Sequence, residues 1–243
     1  MTPHRAAGNA AIPEAPGPSQ SPSRGRLRRP TRRTWAVAGI IVVLVAAVLG
    51  HVPAFYRGCR TGTSEDGRRL ISQVAALGSA IGRPGRWSLA ATEAHINGWL
   101  RNDLPRNHAS LLPSGISDAR VALAPGLVRA GARVGWGPVA AVASAAVSVE
   151  RLDAGRLRAD VRSVRLGGLP LPHGPVIHRL VNLAAAAGVP TELQRLDGRT
   201  VVVVYISAAG DPAGKTHRLD SLAIRDGELL FAGETTVAGD RRR

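Results

Sequence analysis

The side chains of this sequence that could act on a substrate are few and scattered. His173 and His178 bracket a helix start, but at this spacing they fall on different faces, and no carboxylate close in sequence completes a metal-ligand set. Glu93, His95 and Asp103 have the residue types of general acid–base chemistry. The exposed polar face of a short helix carries the same residues. Cys59 is the single cysteine, which excludes an internal disulfide or a multi-cysteine metal site. It follows Tyr56-Arg57-Gly58 rather than the small or aliphatic residues of a lipoprotein signal, so an unlipidated thiol is expected; an intermolecular disulfide stays open if its compartment is oxidising. The sequence contains no Gly-x-Ser-x-Gly elbow, phosphate-cradling loop, His-Glu-x-x-His pair or calcium loop. The common hydrolase, kinase and metalloprotease classes are thereby disfavoured. The chain is read as a non-enzyme without a cofactor. Trp99 and Trp136 are expected as core or interface anchors.

The net charge of +15, with 32 Lys and Arg against 17 Asp and Glu, raises nucleic-acid binding. Lys215 is the one lysine, however, and Ala, Gly, Val and Arg abound throughout, as in a GC-rich coding sequence. Aromatic residues make up 3% of the chain, leaving few stacking platforms. Nucleic acid is therefore a disfavoured partner.

Part of the charge has an address. Residues 1–34 are rich in Pro, Ala, Gly, Ser and Arg and hold too little apolar surface to offset the entropy of ordering. They read as a disordered basic tail whose cluster Arg26, Arg28, Arg29, Arg32 and Arg33 abuts an uncharged run from Trp35 to Gly50 that continues to Tyr56. About 20 residues span a bilayer's hydrocarbon. Residues 35–56 are therefore expected to form a membrane-spanning helix, with Trp35, Phe55 and Tyr56 at the two interfaces. The arginines should stay cytoplasmic, placing the chain from Arg57 onward outside. An export signal competes, because Thr31-Arg32-Arg33-Thr34-Trp35 loosely matches a twin-arginine motif and Val52-Pro53-Ala54 offers small residues for cleavage. The uncharged run exceeds the roughly 7–15 residues of a signal core, which favours the permanent anchor.

The remainder must supply the fold. Ser64 can cap a helix with Leu70, Ile71, Val74, Leu77 and Ile81 on one stripe, making 57–85 a helical linker. A short extended piece at Arg86–Leu89 leads to a second helix capped by Thr92, with Ile96, Trp99 and Leu100 on one face. From about residue 116 the period becomes two: strands around Val121 and Leu123, then Val128 to Trp136, a further apolar stretch at Val139–Arg151, and Leu157 to Val161 after a turn at Asp153-Ala154-Gly155. A third helix buries Val176, Ile177, Leu180, Val181 and Ala184. The β-branched run Thr200–Ile206 reads as a buried strand, and Asp226-Gly227 as a hairpin turn. Turn-linked strands cannot be parallel. The fold class is α+β: one N-terminal transmembrane helix, then a twisted antiparallel sheet with helices on one face, over residues 86–236, and a frayed tail at 237–243.

The segment Leu89-Ala90-Ala91-Thr92-Glu93-Ala94-His95-Ile96-Asn97-Gly98-Trp99-Leu100, the meander after it, and Gly-Leu-Pro-Leu-Pro before a helix resemble the plan of small membrane-anchored extracytoplasmic domains of the YpmS type. The plan is also similar to mycobacterial mannosyltransferase-associated lipoproteins related to tubular lipid-binding modules. Across 86–236 the resemblance implies a long curved sheet wrapped around a helix, with an apolar groove for acyl chains. The lipidated cysteine of the lipoproteins has no counterpart here. Small inner side chains, Ala130, Ala132, Val142 and Ala146 among them, would leave room for such a groove. Trp99, Ala130, Ala132, Val134 and Trp136 are its candidate lining, though tight packing against the third helix satisfies the same pattern. Membrane lipids are the expected partner. A structural or protein-binding role at the membrane is the alternative, and oligomeric state is not legible.

Mass spectrometry of the membrane-bound protein is expected to recover peptides covering Trp35 to Ala54. A soluble mature form starting near Phe55 would show that the segment is a cleaved signal.

Overall fold

A computed structural model describes residues 43, 44, 46–136, 139–186, 189–196, 198–206 and 214–237. The basic cluster and Trp35 lie outside the described residues. Among those described, no helix is long and apolar enough to cross a membrane. Residues 46–49 are helical, and the helix stops at Gly50. The sequence pattern would carry it to Tyr56, but Pro53 lacks an N–H and disfavours helical geometry at the residue before it. A separate short helix, α1 (Ala54–Gly58), follows.

Helix α2 (Ser64–Ile81) is capped by Thr63 rather than by Ser64. The Thr63 side chain accepts from the Asp66 N–H while the Asp66 carboxylate accepts from Thr63 N–H, a reciprocal capping box. Ser64 could not build one, because the third residue after it is Gly67. Strand β1 (Gly85–Thr92) runs into α3 (Glu93–Asn102), where Thr92 Oγ1 accepts from His95 N–H as the sequence suggests. The one-turn helix α4 (Leu104–Asn107) admits Pro105 in its first turn.

Strands β2 (Ile116–Ala124), β3 (Leu127–Trp136), β4 (Val139–Arg151) and β5 (Arg156–Leu166) form the expected meander. The short β6 (Leu169–Pro170) folds back on β5. Helix α5 (Gly174–Ala186) is followed by a hairpin of β7 (Thr191–Leu196) and β8 (Arg199–Tyr205), then by a second hairpin of β9 (Lys215–Arg225) and β10 (Glu228–Val237). The fold is α+β, and every strand pair described is antiparallel.

The strands make two sheets where the period-two pattern suggests one. The larger is ordered β2-β3-β4-β5-β8-β7, and the smaller β1-β10-β9. The smaller exists because β1 pairs with β10 from Gly85↔Thr235 to Thr92↔Glu228, a contact between opposite ends of the domain. Helix α5 covers part of one face of the large sheet. Ile177 packs with Val161, Val164 and Val202 in the main core cluster, and Val176, Leu180 and Val181 lean against it.

Phe55 and Tyr56 lie on the other face of the large sheet. A Cβ at Gly131 would sit 2.8 Å from Tyr56 Cδ2 and 3.3 Å from Phe55 Cζ, so only glycine admits the two rings. Tyr56 is 5% exposed. Its hydroxyl shares its one proton between the Asp118 carbonyl (2.6 Å) and carboxylate (2.9 Å), while the Arg120 guanidinium lies 4.7 Å from its ring centre. Asp118 adopts φ +49°, uncommon for a residue with a side chain, and Arg120 Nη2 holds its carboxylate at 2.9 Å. Helices α2 and α3 meet backbone to backbone: a Cβ on Gly98 would lie 2.4 Å from Thr63 O and 2.7 Å from Gly67 N.

Burial pushes the Tyr56 phenol up to about 12, and the Asp118 carboxylate adds to the rise. Burial also pushes Asp118 up, but the hydrogen bonds from Arg120 and Tyr56 outweigh it and leave that carboxyl below its usual range. The signs are opposite. Tyr56 contributes stability that is present below its unfolded value of about 10 and is lost as pH rises through about 12. Asp118 contributes stability that is present above its unfolded value of about 3.9 and is lost as pH falls through its depressed folded value. Denaturant titrations across pH are expected to show a shallower alkaline limb in Tyr56→Phe and a shallower acid limb in Asp118→Asn. Tyr56→Phe should cost about 1 kcal/mol near neutrality. Unchanged limbs would contradict this assignment.

Candidate functional site

Where the two sheets face each other, the interior is not filled. From the large sheet Val128, Val149 and Leu157 point into the gap, with Ile206 just beyond β8. The small sheet answers with Trp87, Leu219, Leu222, Ile224, Leu229 and Phe231, while Ile81 closes one side from the end of α2. Together they line an apolar cavity of about 390 Å³. Trp87, Leu219 and Ile224 are buried, but Val128, Val149, Leu157, Leu222, Leu229 and Phe231 are only half-buried between two layers. Protein interiors ordinarily close to crystal-like density.

Polar chemistry in the cavity is confined to one corner. Buried Thr235 Oγ1 donates to Ile81 O at 3.1 Å and accepts from Trp87 Nε1 at 3.1 Å. His217 Nδ1 lies 3.0 Å from the same oxygen. A hydroxyl has one proton to give, and Ile81 takes it, so His217 must present Nδ1–H to Thr235. This fixes the imidazole tautomer and the indole plane of Trp87, which meets Phe231 edge to face at 6.2 Å.

Backbone bonds at the strand ends hold the sheets in place without closing the gap. Gly126 N–H donates to Ile224 O, Gly227 N–H to Leu123 O and Leu219 N–H to Ala154 O, at 2.7–3.0 Å. Arg151 Nη1 reaches the carbonyls of Leu219 (3.1 Å) and Asp220 (2.5 Å). The layers are thus pinned at their turns, and the spacing between the pins depends on the side chains there.

The candidate lining read from sequence falls elsewhere. Ala130, Ala132 and Val134 share a face of β3 with Val128, but they run away from the cavity, and Ala130 is exposed. Trp99 is half-buried on α3, its ring 5.8 Å from that of His108. The side chain of Trp136 lies outside the described residues. Val142 and Ala146 do not share a face with Ala130 and Ala132: the register pairs Ala130 with Ala145 and Arg133 with Val142, so they lie on the side of the sheet that α1 covers. Trp87, Leu219, Leu222, Leu229 and Phe231 were missed as lining. The signal available was the alternation on either side of Asp226-Gly227, which marks one apolar face of that hairpin.

Of the acid–base candidates, Glu93 and Asp103 are occupied otherwise, whereas His95 Nδ1 is buried with no hydrogen-bond partner among the described residues. The Glu93 carboxylate, buried, accepts from Arg60 N–H at 2.6 Å and Leu123 N–H at 2.9 Å. Asp103 accepts from Asn107 Nδ2 and lies 3.4 Å from His108 Nε2. Cys59 is a buried free thiol. His173 and His178 do line one cavity together, with Asp160, a carboxylate distant in sequence. Among the described residues no cluster of three or more His, Cys, Asp and Glu could hold a metal ion.

Compared with family models, curated proteins and solved structures, the chain shows no match to any of the three. Its function has to be argued from the site.

Glu93→Ala strands the Arg60 and Leu123 N–H groups, and a loss of about 2–5 kcal/mol is expected in urea unfolding from two unsatisfied buried donors. A loss below about 0.5 kcal/mol would show that the carboxylate is dispensable.

Proposed function

We propose that this chain is a single-pass membrane protein whose extracytoplasmic domain holds the apolar tail of a lipid between its two sheets, without catalysing a reaction on it. The observation that carries this reading is the half-filled cavity of about 390 Å³ lined almost wholly by hydrocarbon. Its size falls within the roughly 300–1,000 Å³ of small-ligand sites. A flexible acyl chain suits it, because such a chain follows an irregular trough and gains from every methylene removed from water, about 0.8 kcal/mol each. The resemblance to tubular lipid-binding modules points to the same class of ligand. A tether in the apolar segment that begins at Trp35 and ends before Phe55 and Tyr56, which pack on the large sheet, would keep the domain beside its lipid supply, with the arginines on the cytoplasmic side.

A second reading, a membrane-held module that docks a protein partner, draws on α2. Ile71 and Val74 belong to its apolar stripe yet stand 43% and 50% exposed.

The test is binding of cis-parinaric acid to the full chain, read by energy transfer from Trp87. Saturable transfer is expected, diminished in Trp87→Phe, with Trp35, Trp99 and Trp136 supplying the remainder. Val149→Phe and Leu222→Phe, which fill the trough, should each weaken binding by about tenfold, or about 1.4 kcal/mol, with melting temperature held or raised. Undiminished binding in both filled variants would remove the cavity from the account.

A further inference from the structure

A second cavity, apart from the apolar one, has a different chemistry. Strand β5 pairs with β8 only from Arg156 to Ala159. Beyond that point the first turn of α5 and the β7–β8 hairpin border a cavity of about 460 Å³, lined by Asp160, Arg162, His173, His178, Arg199 and Thr200 among others. Asp160 is 3% exposed. Around its Oδ2 stand Arg162 Nη1 at 3.1 Å, Arg158 Nη2 at 3.7 Å and Arg199 Nη1 at 4.0 Å.

Three guanidiniums about one carboxylate leave two positive charges in excess. None of the three makes a hydrogen bond to Oδ2, which is buried with no donor on it among the described residues. An ion pair serving stability alone would close into short, aligned, bidentate contacts, and a buried carboxylate oxygen without a donor is costly. Arg162 is instead turned by its Nε bond to Ser148 Oγ at 3.0 Å. The cavity thus offers several N–H donors and one strong acceptor. A ligand fits if it brings anionic oxygens and one O–H together.

We propose that this cavity binds a phosphate group that retains a hydroxyl. Arg162 and Arg199 take its anionic oxygens, Asp160 accepts its O–H, and the first turn of α5, which also borders the cavity, adds partial positive charge. Sulfate, which has the same shape but no proton to give, is rejected because its oxygen would face the Asp160 carboxylate. The group can arrive free or as the phosphomonoester head of a lipid.

The test is calorimetric titration of the full chain in detergent micelles with inorganic phosphate and with sulfate at about pH 6, where phosphate keeps a hydroxyl. Phosphate is expected to bind saturably and about tenfold more tightly than sulfate, the penalty of an unmatched buried acceptor. Arg162→Gln and Arg199→Gln should each weaken phosphate by about fivefold or more. Asp160→Asn should bring the two anions within about twofold. Arg86→Gln, an equal charge change on the small sheet, should alter neither. Arg199 is 64% exposed, so its variant tests the site even if Asp160→Asn does not fold. Absence of saturable phosphate binding, equal affinity for both anions, or an Arg86→Gln effect as large as that of Arg199→Gln overturns the proposal. Adding phosphatidic acid or phosphatidylcholine to the same micelles then identifies the source: displacement of bound phosphate by phosphatidic acid alone means a lipid head, and no displacement means a free monoester. The apolar cavity plays no part in these readouts, so the two ideas fail separately.

Discussion

The outer edge of strand β2 presents backbone N–H and C=O groups that have no neighbouring strand among the described residues. Two buried side chains of α3 take that strand's place. Asn97 both accepts from Val121 N–H (2.7 Å) and donates to Val121 O (2.8 Å), and Glu93 accepts from Leu123 N–H. Asn97 also donates to Arg60 O, while Glu93 takes Arg60 N–H. Its own N–H donates to Gly227 O in the β9–β10 turn, whose N–H returns to Leu123 O. The edge of the large sheet, the approach to α2 and the turn of the small sheet are thereby closed into one ring. Over residues 121–123 the edge is in this way closed to pairing with another chain.

With that corner fixed, the remaining distances follow. The small sheet is suspended over the large one from its turns, and β1 is the extended chain that carries α2 to α3, so Trp87 and Ile81 arrive at the gap together. The side chains that meet there are Val and Leu on one side and mostly Leu on the other. They are too short to interdigitate fully across the spacing the turns impose. Under α5, by contrast, Ile177 reaches Val161, Val164 and Val202, and the core closes. The same sheet face is therefore packed beneath the helix and half-empty beneath the small sheet, which is where a hydrocarbon ligand has most to gain.

Local rules recover the elements because each is written locally: the alternation of β3 and β5, the Thr92 cap, the Asp226-Gly227 hairpin, the inward stripe of α5. Strand β7 escapes them because Thr191-Glu192-Leu193-Gln194-Arg195-Leu196 lies on an edge and keeps mostly polar residues exposed. The division into two sheets rests on the pairing of β1 with β10, which no window of sequence contains. The sharing of faces is lost for a related reason. The register sets even residues of β3 opposite odd residues of β4, so Ala130 and Val142, both small and apolar, belong to opposite sides. Small apolar side chains permit a groove without requiring one, whereas register decides which of them face the space between the sheets. Asp160 reads as an exposed partner of its neighbouring arginines, and only the fold reveals it as buried among three of them, Arg199 included.

The central claim is that the space between the sheets is made for hydrocarbon. Native mass spectrometry of the full chain released from micelles tests it directly, comparing wild type with Leu222→Phe. The account predicts a retained amphiphile on the wild-type protein and its loss from the variant. A wild-type chain that emerges bare after purification from membranes, or a variant that retains the same adduct, would contradict it.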